Sequence, residues 1–250
     1  IEFISATGGT VTTSGNFKIH TFTGDGNFIV ANVGNSGVPT LYRAKVDYLV
    51  VAGGGGGSEA GGGAGGFRES DGKSGGCYSA SPLKAACGAL TIEATTYPIT
   101  VGGGGTGGTN SPFTCGAKGS NSVFSTITST GGGAGAATSA GVAFNATNPG
   151  NGGNGAGTGI NPSCSVGDSG PDGSLRYFAG GGGASQQSTS PASQPASTGG
   201  YGGGGDRPHS PGSGAGAANT GGGGAGNRYN TPIDGGAGGK GIVIIRYKYQ

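Results

Sequence analysis

Apolar positions are distributed unevenly along this chain. Three stretches near its start alternate with polar residues or run apolar: Phe17-Lys18-Ile19-His20-Thr21-Phe22, then Asn27-Phe28-Ile29-Val30, then Val46 through Val51. The chain closes on Gly241-Ile242-Val243-Ile244-Ile245-Arg246-Tyr247-Lys248-Tyr249, again rich in β-branched and aromatic residues. Period-two alternation and short apolar runs of this composition predict β-strands. Gly24-Asp25-Gly26, between the first two stretches, predicts a hairpin turn. No helical periodicity appears.

The middle of the chain follows another rule. Val46-Asp47-Tyr48-Leu49-Val50-Val51-Ala52 runs straight into five glycines at 53–57. Further glycine runs fall near 61–66, 102–108, 131–135, 150–159, 180–183, 199–205, 212–216, 221–226 and 235–241, about ten in all, with polar loops between them. Composition sharpens the question. Of 250 residues 66 are Gly and 12 Pro, only 32% are hydrophobic, and there is no Trp or Met. Such content is usual for disordered chains. Two strongly β-forming ends around a floppy tract would, however, be an aggregation hazard.

An ordered array of main chain is the competing reading. A polyproline-II-type helix of glycine makes no internal hydrogen bonds, so its amides are free to pair with neighbouring helices that approach closely. A six-residue run spans roughly 19 Å, near the length of an ordinary strand. There is no Gly-X-Y period, which excludes collagen. The fold expected is mostly irregular and β: a small β-rich attachment part at 1–45, then a glycine-rich domain at 46–250. The latter is read as a bundle of about ten polyglycine-II helices closed by a C-terminal strand. The chain starts at Ile1 and lacks Met, which reads as a segment or processed product.

Four segments carry a family resemblance: VDYLVVAGGGGG at 46–57, YPITVGGGG at 97–105, NSVFSTITSTGGGAG at 121–135 and the closing GGKGIVIIRYKY. Together with TVTTSGNFKIHTFTGDGNFIV at 10–30 they resemble the glycine-rich domain of bacteriophage tail-fibre proteins, similar to T-even-type tail-fibre tip adhesins. The resemblance implies a polyglycine-II sandwich whose end loops bind the bacterial surface. It implies an extracellular virion component that meets an outer-membrane protein or saccharide receptor and other tail-fibre proteins, with a homotrimer as the usual fibre symmetry. The alternative class is a purely structural fibre, decoration or filament component, in which the strands at 46–52 and 242–249 pair between chains.

Other chemistry is weakly supported. The net charge of +2, with 13 basic and 11 acidic residues, is too small for a nucleic-acid or membrane footprint. No apolar run is long enough to span a membrane. G-x-G-x-x-G occurs many times by chance, without a βαβ context. Two histidines and no CxxC give no metal cluster, and Asp168 and Asp172 fit an ordinary Asp-Gly turn better than a cation site. Ser occurs in no nucleophile-elbow context. No enzyme and no cofactor are expected.

Candidate residues depend on which loops share an end. If successive glycine runs alternate in direction, loops 58–60, 109–130, 160–179, 206–211 and 227–234 lie at the outer end. Run ten then delivers the closing strand antiparallel to 46–52. The receptor-contact candidates are Phe113, Arg176, Tyr177, Arg207, His209, Arg228 and Tyr229, because aromatic and Arg side chains dominate contact energy on scaffolded loops. Tyr177 could equally staple a loop to the body. The same count places Cys77 with Cys87 in one base loop and Cys115 with Cys164 at the outer end, predicting disulfides 77–87 and 115–164, with four buried free thiols as the other outcome. If the strand-like Val123–Thr128 also starts at the base, the parity downstream reverses.

Overall fold

A computed structural model describes residues 1–85, 88–109, 112–137, 151–171, 173–184, 197–207, 214–227 and 234–250. The described residues form an all-β protein with three antiparallel sheets and no helix. This corrects the expected bundle of polyglycine-II helices closed by a single strand. The apolar stretches supply far more sheet than one closing strand, and the side-chain core lies between those sheets.

The strands are β1 (Ile4–Thr7), β2 (Thr10–Ser14), β3 (Phe17–Phe22), β4 (Gly26–Val33), β5 (Lys45–Val51), β6 (Phe67–Glu69), β7 (Leu90–Thr91), β8 (Thr96–Thr100), β9 (Ser122–Phe124), β10 (Ile127–Ser129), β11 (Ala156–Thr158), β12 (Asp168–Ser169), β13 (Arg176–Phe178) and β14 (Ile242–Lys248). One sheet runs β1-β4-β8-β9-β10, a second β2-β3-β14-β5-β6 with β7 also on β5, and a third β11-β13-β12. Strands of residues 1–45 therefore share both large sheets with later strands.

Alternation in β14 explains the layering. Val243, Ile245 and Tyr247 face one way and pack with Phe22, Phe28, Val50, Ile99 and Phe124 between the two large sheets. Ile242 and Ile244 face the other way and pack with Ile19, Leu49, Ala156, Ile160 and Phe178 against the small sheet. As expected, β14 lies antiparallel to β5, with Ile242 opposite Val51 and Arg246 opposite Asp47. Both strands are interior, so neither offers the free edge that pairing between chains requires. The hairpin expected at Gly24–Gly26 is absent: β3 pairs with β2 and β14, whereas β4 pairs with β1 and β8. The turn carries the chain from one sheet to the other.

Glycine segments extend from one end of these sheets. Their amides bond between segments, turning to a new neighbour at each residue. Gly53 N–H donates to Ser120, Gly54 to Gly239, Gly55 to Gly63, Gly56 to Ala117 and Gly57 to Gly236, all at 2.8–3.0 Å. Carbonyls of the same segment accept from Gly132, Gly105, Gly224, Gly135 and Gly108. The packing leaves no room for a side chain: a Cβ on Gly54 would stand 2.1 Å from the Gly222 oxygen, and one on Gly104 would stand 1.8 Å from that of Gly238.

Two segments depart from the reading of the runs. Residues 114–120 form a segment antiparallel to 53–57, although only Gly116 and Gly119 are glycines there. A segment at the surface meets neighbours on one side, so only each third residue must lack a side chain, and Cys115, Ala117, Lys118 and Ser120 are exposed. Conversely, 199–205 is not one rod. Gly202 (φ 100°) and Gly203 (φ 82°) turn it back, with the Asp168 carboxylate accepting from both amides at 3.1 and 3.3 Å.

Two predictions follow from this packing. Gly104→Ala should destabilise by at least about 1–3 kcal/mol, since the obstruction is main chain. Its neighbour Gly103 has nothing within 4 Å of an added Cβ, so Gly103→Ala should be neutral or stabilise by about 0.4–1 kcal/mol; chemical denaturation of both variants checks the contrast. The second concerns His20, fully buried between the large sheets, with Nδ1 2.7 Å from the Gly8 oxygen and Nε2 3.0 Å from the Tyr247 hydroxyl. Nδ1–H donates and Nε2 accepts in the neutral ring, and burial pulls the imidazole pKa below its ordinary 6.5. The folded state then binds fewer protons than the unfolded state below about pH 6.5, so this contribution is complete above that value and is lost on acidification. The stability difference between wild type and His20→Phe should shrink as pH falls from about 7.5 to 5, measured as denaturant midpoints.

Candidate functional site: the loop end and the opposite flank

Chain direction in the glycine segments decides which loops share an end. Segment 53–57 leaves β5, turns at 58–60, where Ser58 N–H donates to the Ala60 oxygen, and returns as 61–66 into β6. Segment 102–108 leaves β8, and 114–120 brings the chain back to the β9–β10 hairpin at the sheet end. The stretch 109–130 is therefore a loop-end turn, a return segment and a sheet-end hairpin. That extra segment reverses the parity downstream, as the alternative reading of Val123–Thr128 required. The turn at Gly202–Gly203 reverses it again.

Phe113 accordingly lies at the loop end, 38% exposed, in a tight turn. There the Thr109 hydroxyl donates to the Pro112 oxygen at 2.6 Å, and the Ser58 hydroxyl donates to the Thr114 oxygen at 2.8 Å. Arg207 is also at this end but is 4% exposed, its amide bonded to the Ser197 oxygen, so it is walled into the scaffold and not displayed. Arg176 and Tyr177 lie on β13 at the sheet end, away from Phe113. The Arg176 guanidinium is spent locally on the Val166 and Gly167 oxygens (2.6 Å each) and the Ser169 hydroxyl (2.9 Å). His209, Arg228, Tyr229 and Asp172 lie outside the described residues.

The disulfide expectation is corrected as well. Cys77, Cys115 and Cys164 are exposed free thiols. Cys115 sits beside the Ser58 turn at the loop end. Cys164 follows Asn161, whose amide donates to the Thr21 hydroxyl of β3 at the sheet end. The body stands between them. Cys87 lies outside the described residues, and Cys77 is not bonded to it.

A buried charged cluster at the sheet end was not anticipated. Asp47 and Arg246 face each other in the β5–β14 register, and the Gly75 peptide joins them, its N–H donating to Asp47 and its oxygen accepting from Arg246 Nε. The Ser70 hydroxyl donates to Asp47 at 2.6 Å. Glu69 accepts from the Ser81 amide at 2.8 Å and from the Thr158 hydroxyl, and Arg246 Nη1 donates to the Ile160 oxygen at 3.0 Å. Burial raises the pKa of both carboxyls and of the Tyr78 phenol, and lowers that of Arg246. Asp47 and Glu69 are 0% and 1% exposed with their oxygens occupied by protein donors, so the cluster ties residues 69–81 and 158–160 onto the sheet and is closed to a solute. The signal was present in the sequence: one acid and one base inside two apolar strands that pair antiparallel.

A family model described as a glycine-rich domain matches residues 30–248. The chain belongs to that glycine-rich domain family. The matched span takes in every described glycine segment and both strands, β5 and β14, on which those segments begin and end. No curated protein matches the chain. In this glycine-rich domain the thiols give a direct check on chain direction. Native protein should react with a maleimide at Cys77, Cys115 and Cys164, and non-reducing peptide maps should contain no 115–164 linkage. Such a linkage would overturn the assignment of loops to ends.

Proposed function

We propose that this domain is the distal, loop-presenting module of a bacteriophage tail fibre and binds a bacterial surface receptor, an outer-membrane protein or saccharide, outside the cell. The observation that carries the reading is how loops leave the scaffold. At the loop end the chain departs and re-enters at bonded neighbours: Gly214 N–H donates to the Asp206 oxygen at 2.9 Å, the Ser197 hydroxyl to Ala184 at 2.5 Å, and Gly236 N–H to Ala225 at 2.9 Å. The chain on either side of 208–213, 185–196 and 228–233 is thus held at fixed points, the arrangement from which a scaffold presents recognition loops. His209, Arg228 and Tyr229 fall within them, and Phe113 stands at the same end. The reading involves no enzymatic step and no cofactor.

A structural fibre component is the second reading, and one feature favours it. β2 is the edge of the six-stranded sheet, exposed over Thr10–Thr13 and free of charge or Pro, so it has few of the usual guards against pairing with another chain. The experiment that separates the two replaces 208–213 and 228–233 by short Gly-Ser linkers in whole particles. Host adsorption should fall sharply while the melting temperature holds. Unchanged adsorption by intact particles would favour the structural reading.

A further inference from the structure

A groove of about 580 Å³ runs along the flank at the sheet end, bordered by β6 on one side and β11 with Tyr177 of β13 on the other. We propose that it binds a short anionic saccharide. The site lies on a different face from the loops and does not rest on the phage assignment. Its volume falls in the roughly 300–1,000 Å³ range of small-molecule sites.

The lining suits a pyranose chain, which presents apolar C–H faces and a rim of hydroxyls. Tyr177, Pro82 and Leu83 supply apolar wall, and Leu83 is left 65% exposed beside the groove. Asn154 and Tyr177 are the neutral polar side chains of the lining. The Asn154 oxygen accepts from the Tyr201 amide at 3.1 Å and the Gly155 N–H donates to the Tyr201 oxygen at 2.7 Å, which leaves the Asn154 NH2 and the Tyr177 hydroxyl as the groups a sugar would meet. The aromatic wall is held in place before any ligand arrives. A Cβ on Gly157 would fall 2.5 Å from the Tyr177 ring and one on Gly170 2.1 Å from it, and the Tyr201 ring, 42% exposed, stands 6.0 Å away centroid to centroid. A wall fixed in this way loses little entropy on binding.

Charge sets the ligand class. Among the described residues no carboxylate lines the groove, and Arg68 is the one charged group in its lining. Its Nη1 donates to the Phe67 oxygen at 3.1 Å, which orients the guanidinium and leaves further donors of the fork for a carboxylate or phosphate on a sugar. A peptide added as a strand fits less well. The outward carbonyl of Phe67 is capped by Arg68 and that of Glu69 by the Ala85 amide at 2.7 Å, so the β6 edge has little ladder left to offer.

The test uses the full chain, with a galacturonate trimer and a neutral galactose trimer as probes, in saturation-transfer NMR and calorimetry. The acidic trimer should bind in preference to the neutral one, and more weakly at high salt. Arg68→Gln should weaken that binding about tenfold, and Leu83→Ala should weaken it less. Both side chains are exposed, so circular dichroism should report folded variants. The chain with loops 208–213 and 228–233 replaced should bind the trimer as wild type does, which separates this site from the loop-end receptor reading. Absence of binding, equal binding of both trimers, binding indifferent to Arg68→Gln and Leu83→Ala, or binding lost only on loop replacement would each overturn the proposal.

Discussion

Everything in this molecule depends on amide-to-carbonyl hydrogen bonds made between segments that approach more closely than a Cβ permits. A single such bond contributes a net of only about 0.5–1.5 kcal/mol, and each glycine loses more backbone entropy on ordering than any other residue. The arrangement holds because the bonds are shared. Successive amides of 53–57 reach three different segments, and its carbonyls are reached by others again. A ladder ties a strand to two neighbours, whereas here one segment is cross-linked on all sides. An obstruction at one interior glycine is therefore felt by several segments together.

The lattice alone buries little apolar surface, and the sheets make up the difference. Their two layers of Val, Ile, Phe and Tyr provide the hydrophobic part of the stability. Covalent continuity and side-chain ties couple the halves: β5 becomes segment 53–57, segment 235–241 becomes β14, and the Ser122 and Ser129 hydroxyls donate to the Val51 and Val50 carbonyls at 2.8 and 2.6 Å where strand turns into glycine. The register of β5 against β14 therefore also aligns the segments that grow from them. The Asp47–Gly75–Arg246 bridge fixes that register with charges that would be costly if misaligned.

Recognition and stability are separated by this construction. The loop end holds the fixed points at which the chain leaves and re-enters the lattice, while the sheet-end flank holds a groove whose aromatic wall rests against glycines. The first suits a surface that changes with its target. The second suits a fixed chemistry, because the Tyr177 ring is backed by Gly157 of the small sheet, by Gly170 and by the Tyr201 ring.

The sequence by itself determined the strands with strong apolar patterns, the antiparallel meeting of the first glycine-capped strand with the last, and membership of a glycine-rich class. These depend on local propensity and composition. It did not disclose the three-sheet architecture, because strands of two to five residues such as β7, β11 and β12 have too little pattern to stand out. Nor did it disclose the direction of each segment. Residues 114–120 hide a lattice member because a surface position needs glycine only where neighbours lie, and 199–205 hides a turn because glycine looks the same whether chosen for space or for positive φ. The hidden segment 114–120 put Arg176, Tyr177 and Cys164 at the wrong end, the hidden turn at 202–203 restored the count beyond it, and Arg207 was misjudged for another reason, since burial of a side chain depends on what packs over it. Only the tertiary structure decided which end each loop occupies, because direction in a lattice of featureless segments is set by neighbours far away in the chain.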